Sequence, residues 1–595
     1  MNRRQLLMLA GGLPLMSTAY AQDAKSLPRS RPGDPSWPSA EQWDALNAET
    51  GGQLVRVRSP LEDCRTAPEG ADCAAVFRSL KNPWYIGDNV ALTQTSGWVD
   101  AWTSAPSAYA VAARNAADVA AAVNFARTHR LRLAVKGGGH SYQGTSNAPD
   151  SLLVWTRKMD RIELHEGFVG QGCSDRPQPA VSLGAGVVWL HAYDAVSKSG
   201  RYVQGGGCTT VGVAGLIQSG GFGTFSKRYG MAAAGLIEAE VVTADGTVRI
   251  ANACTNPDLF WALKGGGGGS FGVVTRLTLR THELPEFFGG MFVTVQAKSD
   301  SAYRDLILRF VSFYREQLFN PHWGEQVTFR RDNALSVAMV FQGLDRRAAS
   351  AAWAPFFSWL AERPNDFALA APPMIAALPA QHFWDAAWLK ANAPDFVLSD
   401  DRPGAPGGNV FWRSNLGETG WFIQGYESVW MPGSLIEPAN QSRLVDALFA
   451  GSRHWRITLH FNKGLAGAPA EDVLAARDTA TNPAAADAFA LAISASEAPP
   501  AFPGIRGHEP DVPLAQRNAR NIAMAMDELR KLVPNHGSYL SESNYFETDW
   551  QGAFWGANYA RLRQVKNKYD PDGLFFVHHG VGSEEWSPDG FTRLK

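Results

Sequence analysis

A charge excess of either sign and long apolar runs are both missing from this 595-residue chain. Lys and Arg number 55 and Asp and Glu number 57, so the formal net charge is −2. No basic field is therefore available to hold a nucleic acid or an anionic membrane. No segment reaches the roughly 18 consecutive apolar residues that indicate a membrane-spanning helix. We expect neither a nucleic-acid partner nor stable membrane insertion.

The first 21 residues carry the pattern of a targeting signal. Arg3-Arg4 precedes a modest apolar stretch over 6–16, and Ala19-Tyr20-Ala21 supplies a small-x-small cleavage site. Paired arginines favour the twin-arginine route, which carries folded, cofactor-loaded proteins, over an ordinary secretory signal. The sequence therefore predicts an exported protein, periplasmic or secreted.

Cysteine is scarce, with five residues. Cys64 and Cys73 lie close together in a stretch rich in Pro, Gly and Asp, which predicts a short disulfide loop in an oxidising compartment. Cys173, Cys208 and Cys254 remain, and because three is an odd number, at least one of them is free or bound to something else.

The chain is too long for one ordinary core, so several packed units are expected. Strands and helices alternate irregularly, which predicts an α+β fold. We divide the chain into a signal peptide (1–21), a lead-in with the short disulfide loop (22–103), a glycine-rich domain (104–285), a second domain with an antiparallel sheet covered by helices (286–540) and a C-terminal segment (541–595) that returns to the glycine-rich domain.

Glycine is plentiful, at 58, and it is strongly concentrated between Gly137 and Gly272, where it forms three loops. The string Gly267-Gly268-Gly269-Ser270-Phe271-Gly272 fits G-x-G-x-x-G, but a strand over 273–279 follows it. A doubly wound dinucleotide fold needs a helix there, so the nicotinamide interpretation fails on context. Successive glycines can still present backbone N–H groups to a phosphate.

The other two loops carry nucleophiles. A predicted strand over 131–135 runs into Gly137-Gly138-Gly139-His140, and a second loop reads Gly205-Gly206-Gly207-Cys208-Thr209-Thr210-Val211-Gly212. Together these loops resemble those of the berberine-bridge-enzyme-like branch of the vanillyl-alcohol-oxidase flavoprotein family. The resemblance implies a two-part, PCMH-type FAD-binding domain and a separate substrate domain.

The resemblance also implies two covalent bonds to FAD. His140 corresponds to the histidine that bonds the flavin 8α-methyl, and Cys208 to the cysteine that bonds C6. A neutral imidazole and a thiolate are suitable nucleophiles for these carbons. The alternative for Cys208 is a disulfide with Cys173 or Cys254. The predicted cofactor-binding residues are Gly137, Gly138, Gly139, His140, Ser141, Gly144, Gly207, Cys208, Val211, Gly212, Gly215, Gly221, Gly223, Gly272, Val273 and Asn544.

The C-terminal segment also resembles the family, through Ser543-Asn544-Tyr545 and the following 555–571. In the family the Asn-Tyr pair returns the chain to the flavin, which makes Tyr545 a candidate catalytic base. The alternative is a tyrosine that only packs against the cavity. A tyrosine with a pKa of about 10 needs a nearby cation or donor to act as a base. The candidates for that neighbour are Tyr142, which we also predict to be catalytic, His460 and Lys463.

The last residues, Phe575 to Glu584, depart from the common family ending and are similar to the isoamyl-alcohol-oxidase-like subgroup. They include His578-His579, which no other ligand cluster accompanies, so we predict no metal site.

The resemblance implies an FAD-dependent oxidase that acts on an alcohol, sugar or natural-product hydroxyl and reduces molecular oxygen to hydrogen peroxide. Val211 favours an oxidase, because a small residue at this family position leaves space for oxygen. Two alternatives stay open. One is oxidative cyclisation or dehydrogenation of a natural product on the same flavin, and the other is a secreted flavin-binding protein without activity.

Overall fold

The computed structural model describes residues 28–496, 498–534 and 537–594. The predicted signal peptide lies outside the described residues. The α+β fold class is confirmed: three main sheets are combined with helices that pack against their faces. Within the described ranges, no helix has the length and apolarity needed to cross a bilayer.

The lead-in consists of short elements. They are α1 (Ala40–Glu49), β1 (Leu54–Arg56), α2 (Glu62–Thr66), α3 (Ala71–Ser79), α4 (Pro83–Gly87), β2 (Thr95–Trp98) and β3 (Trp102–Thr103). Ser39 begins α1 with a capping box, in which its side chain accepts from the Gln42 backbone and the Gln42 side chain accepts from the Ser39 backbone. The predicted Cys64–Cys73 disulfide joins α2 to α3.

The glycine-rich domain contains two sheets. Its elements are β4 (Tyr109–Ala112), α5 (Ala116–Thr128), β5 (Arg132–Lys136), β6 (Ser151–Trp155), β7 (Ile162–Phe168), β8 (Gln178–Gly184), α6 (Trp189–Ser197), β9 (Arg201–Val203), α7 (Val213–Gln218), α8 (Ser226–Tyr229), β10 (Leu236–Val242), β11 (Val248–Asn252), α9 (Pro257–Leu263) and β12 (Val273–Glu283). A four-stranded sheet has the order β1-β4-β6-β5, with β4, β6 and β5 parallel. An antiparallel six-stranded sheet has the order β11-β10-β12-β8-β7, with β9 beside β12.

A second disulfide, Cys173–Cys254, joins the loop after β7 to the loop after β11. These strands are the two ends of the six-stranded order, so the bond ties the edges of that sheet together. Cys208 is the free cysteine of the described chain. The alternative pairing of Cys208 with Cys173 or Cys254 is therefore wrong.

The second domain is built on an antiparallel eight-stranded sheet. Its elements are β13 (Phe287–Ala297), α10 (Asp300–Phe313), β14 (Trp323–Phe329), β15 (Ala334–Gln342), α11 (Arg346–Ala361), β16 (Phe367–Leu369), β17 (Met374–Pro379), α12 (Ala386–Asn392), β18 (Val397–Ser399), β19 (Val410–Trp412), β20 (Trp421–Ile423), β21 (Tyr426–Pro432), α13 (Gln441–His454), β22 (Ile457–His460), α14 (Ala470–Arg477), α15 (Ala484–Asp487), β23 (Ala488–Ala495) and α16 (Val512–Leu532). The strand order is β16-β13-β15-β14-β22-β23-β21, with β17 also paired to β13.

The two faces of this sheet have different partners because side chains alternate along a strand. On β15, Leu335, Val337 and Met339 are buried in a core shared with α10, α11, α13 and α16, while Ala338 and Val340 face the opposite way, into a cavity. The predicted sheet covered by helices on one face is confirmed, and its other face forms a wall of the cavity.

The C-terminal segment adds α17 (Trp550–Trp555) and α18 (Tyr559–Tyr569). The Trp555 indole donates to the Gly265 carbonyl over 3.0 Å, and the buried Lys566 ammonium donates to the Ser270 carbonyl over 2.6 Å. These two bonds hold both ends of the glycine-rich string that ends at Gly272, the third glycine loop in chain order, against the C-terminal segment.

Candidate active site

A cavity of about 1300 Å³ lies between the glycine loops and the eight-stranded sheet. Its volume exceeds the roughly 300–1000 Å³ of an ordinary small-ligand site. Thirteen of the residues predicted from the sequence line it. They are Gly137, Gly138, Gly139, His140, Ser141, Tyr142, Gly207, Cys208, Val211, Gly212, Gly215, Gly223 and Gly272.

The glycine loop that precedes His140 and the glycine loop that contains Cys208 pack backbone against backbone. A Cβ on Gly138 would lie 2.8 Å from the Thr210 carbonyl oxygen and 2.9 Å from the Gly212 nitrogen, so only glycine fits. Lys136, at the end of β5, holds the loop that precedes His140. Its buried ammonium donates to the carbonyls of Asn89, Val90 and Leu92 in the lead-in. This packing fixes the position of the His140 side chain at the cavity wall.

His140 is a neutral, buried imidazole. Its Nε2 lies 3.0 Å from the Thr210 hydroxyl. Burial lowers the pKa of His140 to about 4, because desolvation disfavours the imidazolium. An unprotonated ring is the form that can act as a nucleophile.

Cys208 presents a thiol to the same cavity. Its Sγ accepts from the Asn415 amide over 3.4 Å and lies 4.0 Å from Glu418 Oε2. Burial raises the pKa of the Cys208 thiol well above its usual value, and the Glu418 carboxyl raises it further. The thiol is therefore protonated, and Glu418 is the carboxyl placed to accept its proton.

Glu418 is one of several cavity residues that the sequence did not reveal. Burial raises its pKa to about 7, the neighbouring Glu542 adds to the increase, and Lys463 opposes it. The Lys463 ammonium donates to both oxygens of Glu542 at 2.6 Å. Lys463, which the sequence offered as an activator, thus lies in the cavity as part of a buried ion pair.

Tyr142 lies in the same group, with Tyr426 as its neighbour. Their ring centroids are 5.3 Å apart. Burial raises the pKa of both hydroxyls well above 10, so each is a neutral hydrogen-bond donor at ordinary pH. His460 also lines the cavity, and burial lowers its pKa well below the usual value, so its ring is neutral.

Tyr545 does not line the cavity. Its ring stacks on His578 with centroids 3.8 Å apart, and its backbone carbonyl lies 2.9 Å from His578 Nε2. Residues before it, Tyr539 to Glu542, and after it, Phe554, Trp555 and 575–580, line the cavity, so the Tyr545 ring lies behind His578 in the wall. In this arrangement Tyr545 contacts the wall residue His578, and its role as a base stays a prediction.

Four other predicted cofactor residues lie behind the cavity wall. They are Gly144, Gly221, Val273 and Asn544. Gly144 lies under the Trp102 ring, which a Cβ would meet at 2.6 Å, and the Asn544 side chain accepts from the Phe546 backbone. These residues support the loops without reaching the cavity.

The cavity wall fits a flavin dinucleotide. Gly267 and Gly269 have φ values of +96° and +73°, which let consecutive N–H groups of the third loop turn towards a phosphate. Beside them, Ser270 Oγ, Gln218 Oε1 and His579 Nδ1 are buried polar atoms without a hydrogen-bond partner within the described residues. Because buried polar groups are nearly always satisfied, these atoms point to a bound polar ligand.

A glycine-lined cradle with a neutral imidazole and a free thiol in its wall defines a flavin-binding protein. Consistent with this, the FAD binding domain family matches residues 106–252, and the family described as berberine and berberine like matches residues 538–582.

Relatives match over nearly the whole chain. The FAD-linked oxidoreductase penH of Penicillium thymicola is 30% identical, over 95% of this chain and 95% of its own length. The VAO-type flavoprotein oxidase VAO615 of Thermothelomyces thermophilus is 29% identical, over 99% of this chain and 98% of its own. The crystal structure of the VAO-type flavoprotein MtVAO615 from Myceliophthora thermophila C1 superposes with a TM-score of 0.76 at 26% identity, covering 94% of this chain and 98% of that one.

The chain belongs to the berberine-bridge-enzyme-like branch of the vanillyl-alcohol-oxidase family of FAD-linked oxidoreductases. FAD is its cofactor and a small molecule is its substrate. The first glycine-rich unit is the PCMH-type FAD-binding domain, and the helix-covered sheet belongs to the substrate domain.

Proposed function

We propose that this protein is an FAD-dependent oxidase of an alcohol-type substrate, with its flavin bonded to both His140 and Cys208. The observation that carries the proposal is the position of Glu418. This buried carboxyl lies 4.0 Å from the thiol that would anchor the flavin ring, and it faces the cavity. With the flavin held by Cys208, Glu418 would be a proton acceptor close to the reacting part of the ring.

The two anchors are supported by chemistry as well as by family resemblance. Burial keeps His140 unprotonated, and Cys208 stays free although the other four cysteines are paired. Both residues lie on loops that pack against each other through Gly138 and Gly212, so their side chains can reach one flat ligand.

Glu418 has the pKa that a base needs near neutral pH, about 7. We assign it the role of accepting the substrate hydroxyl proton at its carboxylate oxygen. Tyr142 and Tyr426 are neutral donors in the same group and orient the substrate hydroxyl. Bound FAD supplies the acceptor for the hydride of the substrate carbon and passes the electrons to oxygen, which gives hydrogen peroxide.

Oxygen as acceptor is supported by Val211, a small residue of the Cys208 loop that lines the cavity, and by the oxidase name of one relative. Export is supported by two disulfides, since such bonds persist in oxidising compartments. The twin-arginine route is supported by the Arg3-Arg4 motif.

The Glu418→Gln variant tests the assigned base. It should keep its FAD through His140 but lose about 10²–10⁴-fold in kcat, because the amide cannot accept the proton. In the wild-type enzyme kcat/KM should rise with pH through about 7, as Glu418 becomes ionised. The variant should lack that rise. Glu362→Gln, at the exposed end of α11, is the matched control and should behave like the wild type.

The measurements are peroxide release in air and anaerobic bleaching of the flavin by a panel of alcohols. Unchanged activity in Glu418→Gln would remove the base assignment. Slow reoxidation by air with fast reoxidation by a quinone would show a dehydrogenase. Ring-closed products would show a cyclase, and a flavin that no panel member bleaches would show a protein without this activity.

A further inference from the structure

The sheet face that looks into the cavity is divided into an apolar half and a polar half. On β17, β13 and β15 the cavity-facing residues are Ala376, Leu378, Gly290, Phe292, Ala338 and Val340. On β14, β22 and β21 they include Gln326, His460 and Tyr426. Because β17, β13 and β15 are neighbours in the sheet, the apolar half is a continuous surface, whereas in the polar half β23 lies between β22 and β21.

The apolar half is covered by aromatic residues from the segment between β17 and the end of β19. Phe383, Trp384, Phe396 and Trp412 all line the cavity, and the rings of Phe383 and Trp412 are 5.7 Å apart. The small side chains of Ala338 and Ala376 leave room between this cover and the sheet, while the Phe292 ring lies over Gly290, where a Cβ would meet it at 2.6 Å. The result is an apolar chamber rather than a filled core.

The apolar chamber begins at the flavin anchor. The Trp412 indole donates over 3.2 Å to the carbonyl of Gly207, the residue before Cys208. Glu418 approaches the sulfur of the same anchor, and it lies near enough to Tyr426 of the polar half for its charge to raise the pKa of that hydroxyl. A molecule that presents a hydroxyl to Glu418 can therefore extend its body along β15, β13 and β17.

We propose that the substrate is an alcohol with an extended alkyl or aryl body, bound in the chamber of Phe292, Val340, Leu378, Phe383 and Trp412, and that the site disfavours oligosaccharides. The covering segment also contributes Asn392, Asp395 and Arg413 to the lining, but these side chains are exposed. Deeper in the chamber, the second sugar unit of an oligosaccharide would bring several hydroxyls against apolar side chains of the sheet, and buried polar groups without partners are costly. An alkyl or aryl body gains from leaving water in the same place.

This proposal rests on the proposed alcohol oxidation and names its substrate class. The test compares three probes on the holoenzyme: benzyl alcohol, 4-butylbenzyl alcohol and cellobiose. The first two share one reacting group, so their difference reports the chamber alone. The KM for 4-butylbenzyl alcohol should be at least about tenfold lower than for benzyl alcohol, since four more methylene-sized groups are buried. Cellobiose should neither bleach the flavin nor perturb its absorption.

The Leu378→Asn variant should raise the KM for 4-butylbenzyl alcohol by about tenfold or more and leave its kcat nearly unchanged, because the altered contact is remote from the reacting carbon. Val340→Thr, which keeps the side-chain shape, should have a smaller effect in the same direction. The matched control is Leu369→Asn, at an exposed position on β16 of the same sheet.

Preference for cellobiose, or equal KM values for the two benzyl alcohols, would overturn the substrate class and leave alcohol oxidation standing. If no probe bleaches the flavin, the proposed alcohol oxidation is wrong. Whether the chamber binds an apolar body is then decided by the change in flavin absorption when each probe binds. Tight binding of 4-butylbenzyl alcohol that Leu378→Asn weakens would support the chamber. Binding of cellobiose alone, or of neither probe, would overturn it.

Discussion

The charge of Glu542 contributes to the raised pKa of Glu418. Both carboxyls are in the cavity, and after burial itself the charge of Glu542 is the main reason that the Glu418 pKa is raised. Glu542 also occupies the Lys463 ammonium through two hydrogen bonds of 2.6 Å. The Glu542–Lys463 ion pair therefore influences the pKa of the proposed base, Glu418, through its charges.

The Glu542→Gln variant should shift the pH profile to lower pH. The substitution removes the repelling carboxylate and leaves Lys463 to favour ionised Glu418, so the Glu418 pKa falls below about 7. The rise of kcat/KM with pH should then occur roughly one unit lower. Glu362→Gln should leave the profile in place. A kcat/KM profile that is unchanged, or that moves to higher pH, would show that Glu418 is not the titrating base.

At the scale of single residues, the sequence predicted the two proposed anchors but not the proposed base. His140 and Cys208 follow glycine runs whose backbone geometry belongs to the loop itself, so the sequence signals them locally. Glu418 and Glu542 are distant in the chain and meet only in the folded molecule. Tyr545 is a candidate by residue type, and its ring stacks on the wall residue His578.

At the scale of elements, helices that are determined by their own residues were predicted better than helices that depend on packing against distant segments. The apolar spacing of Val119, Val123 and Phe125 predicts a helix over 116–128, and the structure has it at Ala116–Thr128, where Asn115 caps its first turn. The sequence also predicts a helix over 302–319, whereas the observed α-helix begins at Asp300, ends at Phe313 and continues as a π-helical turn over Tyr314–Leu318. The helix Gln441–His454 was missed, although its apolar residues pack on α16 and α10. Packing of this kind is not readable from the segment alone.

The two disulfides constrain elements to different degrees. Cys64–Cys73 closes a separation of 9 residues, whereas Cys173–Cys254 closes one of 81 and ties both ends of the six-stranded sheet. Loop-closure entropy assigns about 3 kcal/mol to the first and about 4.5 kcal/mol to the second.

Replacing Cys173 and Cys254 together by Ser should therefore lower the urea midpoint of unfolding more than replacing Cys64 and Cys73 together. Both variants should keep their flavin, because neither bond reaches the cavity wall. An equal or smaller loss for the Cys173–Cys254 pair would contradict this ranking.

At the scale of the whole molecule, the cavity is assembled from segments that span most of the chain. Lys227, in the FAD-binding domain, is buried and donates to the carbonyls of Gly464, Ala466 and Phe489 in the second domain. Lys566 joins the C-terminal segment to the third glycine loop in the same manner. Glycine pattern and family resemblance predicted that these parts meet, but the apolar and polar halves of the cavity follow from strand order, which no local pattern encodes.

Retention of FAD by the denatured protein tests the two proposed anchors most directly. After acid precipitation the wild-type chain should keep one FAD, and either His140→Ala or Cys208→Ala alone should still keep it through the other bond. Cys208→Ala should show a changed flavin absorption spectrum, since C6 then lacks its sulfur. The double variant should release the FAD. A Cys208→Ala spectrum identical to that of the wild type, or a double variant that still retains FAD, would contradict the account.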